Sequence, residues 1–404
     1  MIIGVIGGGA AGFFAAIRAK EVHPHAQVIL FEKTEKPLAK VKISGGGRCN
    51  VTNAAPHIRQ LVQAYPRGSK FLKKAFRFFD NHHTIQWYEN RGIPLKTEKD
   101  LRVFPQSNSS MDIVNCLRSE VDRLGVELRL NSGVRQISLV SNQWLLQFSP
   151  DKSPVSLDSI IVATGGAPRA HGLDWIHRLG HPIVPPVPSL FSFNIIENNI
   201  TSLPGLSVPN AIVRIEGTSL QHSGPLLITH WGMSGPAILV LSAFGARQLH
   251  DMNYRFSLQV NWTGIQNHQL IRESLLTTIQ SNAPKYLYQF RPFKIPDRLW
   301  RYLLAKASLP VTKRWNELGK KGLNKLIDTL SHDIYPVEGK TTFKEEFVTC
   351  GGIDLSNVNP NTMASRILPN LYFAGEILDI DGITGGFNFQ AAWTTGYIAG
   401  ACKQ

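Results

Sequence analysis

Ile2-Ile3-Gly4-Val5-Ile6-Gly7-Gly8-Gly9-Ala10-Ala11-Gly12 is the stretch that decides the fold of this 404-residue chain. Ile2 to Ile6 reads as a short buried strand, and Gly7 to Gly12 follows as G-x-G-x-x-G. Phe13 to Lys20 then reads as a helix, and Gln27 to Phe31 as a second strand ending at Glu32. The glycines serve different physical needs. Gly7 permits the tight turn, Gly9 lets backbone approach a pyrophosphate, and Gly12 lets helix and strand pack closely. The free N–H groups and positive dipole end of the helix then face the phosphates. Glu32, twenty residues after Gly12, is placed to accept hydrogen bonds from ribose hydroxyls. The unit predicts a Rossmann-like α/β domain that binds an adenine dinucleotide.

Working outward, a 43% hydrophobic content lets the chain bury a large core, and its length predicts two or three domains. The longest apolar runs, such as Ala237 to Ala246, are too short to span a bilayer. The N-terminus does not resemble a signal peptide, because its apolar residues already serve as strand one. A cytoplasmic location and no transmembrane segment are therefore expected. The four cysteines, Cys49, Cys116, Cys350 and Cys402, are widely spaced and contain no C-x-x-C. They predict neither a disulfide framework nor a metal site. The net charge of +14 is spread over segments such as Arg59 to Arg77, where basic residues alternate with Phe71, Phe76, Phe78 and Phe79. No nucleic-acid recognition motif accompanies it. A small-molecule substrate is expected, and the charge is read as a solvated surface that steers anions.

The texture changes along the chain. A glycine-rich loop at Lys40 to Asn53 precedes a largely helical stretch from His57 to Arg91. Met111 to Leu124 reads as a helix, Glu127 to Leu130 as a strand, Gly133 to Leu139 with Gln143 to Phe148 as a hairpin, and Ser159 to Ala163 as a buried strand. Pro182, Pro185, Pro186 and Pro188 predict a stiff crossing segment. Short alternating runs beyond it suggest a small β-barrel or sandwich. The pattern turns helical from Gln266 to about Ser331 and returns to β at Lys344 to Thr349. Leu371 to Ala374 reads as a core strand, and a helix follows from about Asn388 to Cys402. The middle thus reads as an insertion into a nucleotide-binding domain whose halves lie at opposite ends of the chain.

Three further constellations carry chemistry. Lys42-Ile43-Ser44-Gly45-Gly46-Gly47-Arg48-Cys49-Asn50-Val51-Thr52-Asn53 exposes backbone donors beside polar side chains, which suits the longer reach of FAD. Tyr372-Phe373-Ala374-Gly375-Glu376 ends a strand in glycine plus acid, and Gly382-Ile383-Thr384-Gly385-Gly386-Phe387-Asn388-Phe389-Gln390 starts a helix beside a glycine pair. Glu376 is suited to ribityl hydroxyls, and the backbone near Phe387 to Phe389 to a flavin edge where negative charge appears on reduction. Ala163-Thr164-Gly165-Gly166 ends another strand in a turn beside the dinucleotide. No second G-x-G-x-x-G follows.

In combination these segments resemble the BaiN-like (YhiN-like) family of three-domain bacterial flavoproteins, which includes enzymes described as aminoacetone oxidases. Thr229-His230-Trp231-Gly232-Met233-Ser234-Gly235-Pro236 and Val348-Thr349-Cys350-Gly351-Gly352-Ile353 extend the resemblance over essentially the whole chain. After Gly166 the chain departs from the family, reading Ala167-Pro168-Arg169-Ala170-His171-Gly172 where a stretch containing S-x-P-x-T-G is usual.

The resemblance implies an FAD-binding domain in two parts (1–188 and 348–404), a β-barrel domain (189–265, returning at 335–347) and a helical domain (266–334). It implies an FAD-dependent oxidoreductase that acts on a small organic substrate by hydride transfer at flavin N5. NAD(P)H is the expected transient electron donor; an amine-oxidising enzyme using oxygen and a flavin-dependent RNA-associated protein are the alternatives. The expected FAD contacts are Gly7, Gly9, Ala10, Ala11, Gly12, Glu32, Lys33 and Val134, then Lys42, Ser44, Gly45, Gly46, Arg48, Cys49 and Asn50. Thr164, Gly165, Gly375, Glu376, Gly386, Phe387, Asn388 and Gln390 complete them. His230 is the candidate acid/base, with Lys42 and Arg48 stabilising reduced flavin or an anionic substrate.

Overall fold

A computed structural model describes residues 1–148, 152–167, 170–196, 199–341 and 348–403. The chain divides into two compact units, one formed by residues 1–189 with 344–404 and the other by residues 190–343.

The first unit is built on a five-stranded parallel sheet. Its strands are β1 (Ile2–Ile6), β2 (Gln27–Phe31), β3 (Glu127–Arg129), β4 (Ser159–Val162) and β5 (Leu371–Phe373), in the spatial order β3-β2-β1-β4-β5. β1 and β4 are neighbours, with Ile3 opposite Ser159 and Ile6 opposite Val162. The strand order reverses between them, the place where doubly wound sheets bind ligands. The strands are almost continuously apolar because helices cover the sheet. Helix α1 (Ala10–Val22) buries Phe13, Phe14 and Ile17. Four more helices matter below: α2 (Ala39–Gly47), α3 (Ser69–Ala75), α4 (Ser110–Leu124) and α5 (Phe387–Gly400). Gly12, Gly396 and Gly400 allow α1 to approach its neighbours. A Cβ on Gly12 would lie 1.8 Å from the Gly7 carbonyl oxygen, and one on Gly396 2.5 Å from that of Ala11. Phe14 sits among Trp87, Tyr88 and Trp393, with ring centroids 4.5 to 6.1 Å away.

Three local features correct or sharpen the sequence reading. The expected hairpin is present as Gln136–Val140 paired with Gln143–Gln147. Ser141 and Asn142 both have positive φ, as a two-residue turn matching strand twist requires. The proline segment is not a mere crossing. Ile183–Ser189 is a strand paired antiparallel with Val348–Ile353, with an irregularity between Val184 and Val187. The ribbon has only two strands, so prolines can take positions where no ladder donor is needed. The glycine-rich loop begins as the helix α2, which breaks at Ser44, Gly45 (φ 57°) and Gly46 (φ 68°). Of the β return expected at Lys344 to Thr349, residues 344–347 lie outside the described residues, as do Pro168 and Arg169 of the departing loop.

The second unit carries a seven-stranded antiparallel sheet. Its spatial order is Asp333–Glu338, Arg255–Asn261, Ser207–Ile215, Gln221–Thr229, Gly232–Ser234, Ser192–Asn194 and Lys340–Thr341. The two edge strands are joined through Gly339 alone, so the sheet curls round to bring its edges together as a barrel. Helices His268–Ser281, Asp297–Lys306 and Gly319–Ser331 share one apolar core with it, including Trp262, Trp300 and Trp315. Asp333 is buried there; it accepts from Trp262 Nε1 at 2.8 Å and pairs with Lys306. Among the described residues no helix is long and apolar enough to cross a membrane.

One core group makes stability pH-dependent. His181 is fully buried edge-on to Phe373, with Nε2 2.8 Å from Ser365 Oγ. Burial holds its pKa down at about 4, against an ordinary 6.5. Between these values the unfolded chain binds a proton that the folded chain refuses, so stability falls as pH drops. Denaturant melts at pH 7 and pH 5 are expected to differ by about 2 kcal/mol from this residue. His181→Gln should flatten that slope; an unchanged slope would remove His181 from the account.

Candidate functional site

The carboxyl ends of the parallel strands converge. Gly7 leaves β1 with φ 113°, and a Cβ there would strike the Ala163 carbonyl beyond β4 at 2.4 Å. Thr164 Cα is 3.0 Å from the same point, so the two turns at the switch point touch. A Cβ on Gly9, in contrast, would meet no heavy atom within 4 Å. Space is left open in front of the helix start, where Ala10 is half-buried and the first N–H groups lack intrahelical acceptors. At β2, Glu32 is buried and its Oε2 accepts from Gly8 N at 2.8 Å. Its Oε1 accepts from Thr34 N and Thr34 Oγ1, both at 2.9 Å. The carboxylate is thereby locked against the glycine turn. Lys33 is exposed beside it, and Val134 is half-buried in the following segment.

The β5 end completes the rim. Gly375 (φ 77°) lies against α1, where its Cβ would come 2.8 Å from Ala11 Cβ. Glu376 Oε1 accepts from Thr349 N at 2.9 Å, and Oε2 pairs with Lys40 at 2.8 Å. The Thr164–Gly166 turn lies beside it: a Cβ on Gly166 would be 2.9 Å from Glu376 Cδ and 2.3 Å from Thr349 Oγ1. That hydroxyl is buried with no partner among the described residues. An open glycine cradle, two oriented carboxylates and an unsatisfied hydroxyl fit a large polar cofactor such as FAD.

The glycine pair before α5 is held just as firmly. Asn388 Oδ1 accepts from Gly382 N at 2.8 Å, and its Nδ2 donates to Gly382 O at 2.9 Å. Asn53 Nδ2 donates to Gly385 O, and Tyr65 OH to Phe387 O. With its amide turned to satisfy its neighbours, Asn50 accepts from Gly386 N at 3.0 Å and donates to Thr52 O and Val103 O. The segments around Asn50 and Gly386 therefore meet, although more than three hundred residues separate them.

Some expected contacts are placed otherwise. Gln390 is fully buried: its Oε1 accepts from Thr52 Oγ1 at 2.6 Å and Thr84 Oγ1 at 2.9 Å, and its Nε2 donates to Thr394. Those bonds commit it to joining α5 to the domain interior rather than to a cofactor. Cys49 is fully buried in a left-handed conformation, and burial pushes its thiol up to about 12. Phe387 is a core residue, edge-on to Tyr65. Arg48 lies over Phe104 at 4.1 Å and pairs with Glu98 at 2.9 Å, so its guanidinium is already engaged. Ser44 Oγ donates to Val41 O, while Lys42, Gly45 and Gly46 are at least partly exposed. His230 belongs to the second unit, on the exposed turn between Gln221–Thr229 and Gly232–Ser234.

Other residues with a claim on the site escaped the sequence reading. Lys40 and Thr349 orient Glu376. Arg67 Nε donates to the fully buried Asp381 Oδ1 at 2.6 Å and Arg67 Nη2 pairs with Oδ2, which also accepts from Ser189 Oγ at 2.7 Å. Burial raises the Asp381 carboxyl above its ordinary range, with Arg67 and Ser189 opposing. The Val348–Ile353 motif was a signal for Thr349; none marked Asp381.

The cysteines offer no reactive thiol. Cys116 is buried and held at about 11, Cys402 at about 12, and Cys350 is buried. The thiolate is the reacting form, so a thiol-disulfide reagent at pH 8 is expected to label the native protein slowly. All four should react on denaturation. Fast stoichiometric labelling of the native chain would contradict this geometry.

A parallel sheet with this crossing, a glycine cradle at its switch point and two oriented carboxylates define a Rossmann-type FAD-binding oxidoreductase. The chain belongs to the HI0933-like protein Rossmann domain family, whose model matches residues 1–402. It is 29% identical over 403 residues to the ribosomal RNA dihydrouridine synthase of Haemophilus influenzae, covering 97% of this chain and 96% of that protein. It is 26% identical over 410 residues to the 3-dehydro-bile acid delta(4,6)-reductase of Clostridium scindens, covering 98% of each. Among solved structures it is similar in fold to a 3-ketosteroid delta1-dehydrogenase from Sterolibacterium denitrificans, with TM-score 0.50, 12% identity and 98% of each chain covered.

Proposed function

We propose that this chain is an FAD-dependent, NAD(P)H-linked reductase of an activated carbon–carbon double bond, and that the acceptor is a uracil ring in RNA. The observation that carries the reading is the cradle of oriented carboxylates and glycine backbone at the carboxyl ends of the parallel strands. FAD held there would supply two-electron transfer between a nicotinamide and an acceptor. The protein's part is to bind and orient. Gly7, Gly9 and Gly12 with the start of α1 would hold the pyrophosphate, Glu32 the adenosine ribose, and Glu376 the ribityl chain. The start of α5, fixed by Asn50, Asn53 and Asn388, would bring backbone N–H groups to the flavin edge that gains negative charge. Lys42 adds positive charge nearby in sequence.

The names of both relatives denote reduction of a ring C=C bond. In uracil the net change adds one hydride and one proton across C5=C6 while NAD(P)H becomes NAD(P)⁺. The proton comes from solvent water. The sequence alone favoured a small organic acceptor. Full-length likeness to an RNA-acting relative, with a net charge of +14, favours RNA.

The test is anaerobic turnover of FAD-loaded protein with NADPH or NADH, offering an unmodified ribosomal RNA transcript and, separately, a conjugated steroid enone. Uridine gaining two hydrogens, read by nucleoside mass spectrometry, is expected. Turnover of the enone alone would overturn the RNA acceptor, and turnover of neither would overturn the reductase reading.

A further inference from the structure

We infer that the exposed face of α3 and the groove beside it form the RNA-docking surface of this protein, an inference that rests on the RNA reading above. Between Lys36 and Phe79 the sequence has ten Lys or Arg residues and no Asp or Glu. Within it, Lys70, Lys73 and Lys74 fall at i, i+3 and i+4 on one face of α3, and Arg77 follows in the turn just past the helix end. All four are exposed, while Phe71, Leu72, Ala75 and Phe76 between them are buried. None of the four ion-pairs with a carboxylate among the described residues. Adjacent like charges on a helix repel, so an uncompensated stripe suits a polyanion. Lys70 to Lys74 covers roughly 6 Å at helical rise, and Arg77 extends the charge into the next turn, so the stripe can meet more than one phosphate of a sugar-phosphate backbone.

The stripe borders a groove of about 570 Å³. Ser69, Lys70 and Lys74 line one wall, and Ser356 and an exposed Arg366 the other. Phe78 follows the stripe and is 50% exposed, an aromatic platform of the kind on which unpaired bases stack. The apolar side of α3 is buried in the domain, so the helix has no free apolar face to insert into lipid. This argues for RNA over a membrane surface. The surface is continuous with the candidate site. A Cβ on Gly68, at the start of α3, would lie 2.5 Å from Ile380 Cγ1, and the neighbouring Arg67 pairs with Asp381. RNA docked here lies beside the chain that leads into Gly382–Gly386.

The experiment uses the full FAD-loaded chain and an unmodified, labelled ribosomal RNA fragment across a salt series. Lys70→Ala/Lys73→Ala/Lys74→Ala is compared with Lys320→Ala/Lys321→Ala/Lys325→Ala, which removes three exposed charges from the second unit. The α3 variant is expected to lose at least tenfold in affinity and to flatten the slope of log K against log salt by about two to three. Flavin content, thermal midpoint and NADPH reduction rate should be unchanged. Phe78→Ala should weaken binding about fivefold or more at unchanged slope. Equal losses in both triple variants, or none in the first, would overturn the proposal. So would α3-dependent binding of phosphatidylserine vesicles with no α3 effect on RNA, which assigns the face to lipid. Failure of the two readings is separable. RNA bound through α3 without dihydrouridine formation removes the reaction and keeps the surface. Dihydrouridine formed by the α3 variant at wild-type KM removes the surface and keeps the reaction.

Discussion

Gly9→Ala is expected to give a folded protein that binds FAD far more weakly, whereas Gly12→Ala is expected to lose much of its stability. Gly9 has φ −94° and ψ −171°, an extended conformation open to alanine, and its added methyl would touch nothing in the protein. Stability should change by no more than about 1 kcal/mol, the usual scale for the first position flanking a helix. The methyl would instead fill the space through which a pyrophosphate approaches. Loss of that close contact should raise the FAD Kd by about a hundredfold or more, roughly 2.7 kcal/mol. At Gly12 the methyl would stand 1.8 Å from the Gly7 carbonyl oxygen, and only a shift of α1 relieves it. Overpacking of this severity costs about 3 kcal/mol or more. Denaturant melts and flavin retained on gel filtration separate the two outcomes. A Gly9→Ala protein that keeps FAD at wild-type affinity would defeat the assignment of the cradle.

Asp381→Ala should produce the other large effect. The carboxylate is fully buried and Arg67 only 15% exposed, so the substitution leaves a largely desolvated guanidinium without the carboxylate that balances its charge. Breaking such a pair costs about 3–5 kcal/mol. The adjoining Gly382–Gly386 segment would lose its anchor, and FAD affinity should fall with stability. Arg67→Met/Asp381→Leu removes both charges and should recover most of the stability. If Asp381→Ala melts within about 1 kcal/mol of the wild type, the pair is not the anchor described. A double variant no more stable than Asp381→Ala would contradict the buried-charge explanation.

The difference between these two sites shows what the sequence could reveal. The Gly7–Gly12 turn, Glu32 and the strands around them were legible because the pattern is local: spacing alone specifies turn, helix start and close packing. The Ser141–Asn142 hairpin and the amphipathic helices of 266–331 were legible for the same reason. The Arg67–Asp381 pair joins residues 314 apart, and no local pattern announces it. Gln390 was misread because its helix start resembles a binding segment, while the three threonines that saturate its amide come from elsewhere in the chain or the next turn. The strand Ile183–Ser189 was hidden by Pro185, Pro186 and Pro188, which a two-stranded ribbon tolerates. Helix Pro236–Phe244 showed only as an apolar run, since most of its residues are buried and no polar stripe marks its period.

The central claim is that this fold holds a flavin which takes electrons from a reduced nicotinamide. Anaerobic rapid mixing of the FAD-loaded protein with NADPH and with NADH, followed by the flavin absorbance, tests it most directly. Bleaching by at least one of the two within the time of turnover is the predicted result. A protein whose flavin stays oxidised with both, yet bleaches on addition of a primary amine, would contradict the account.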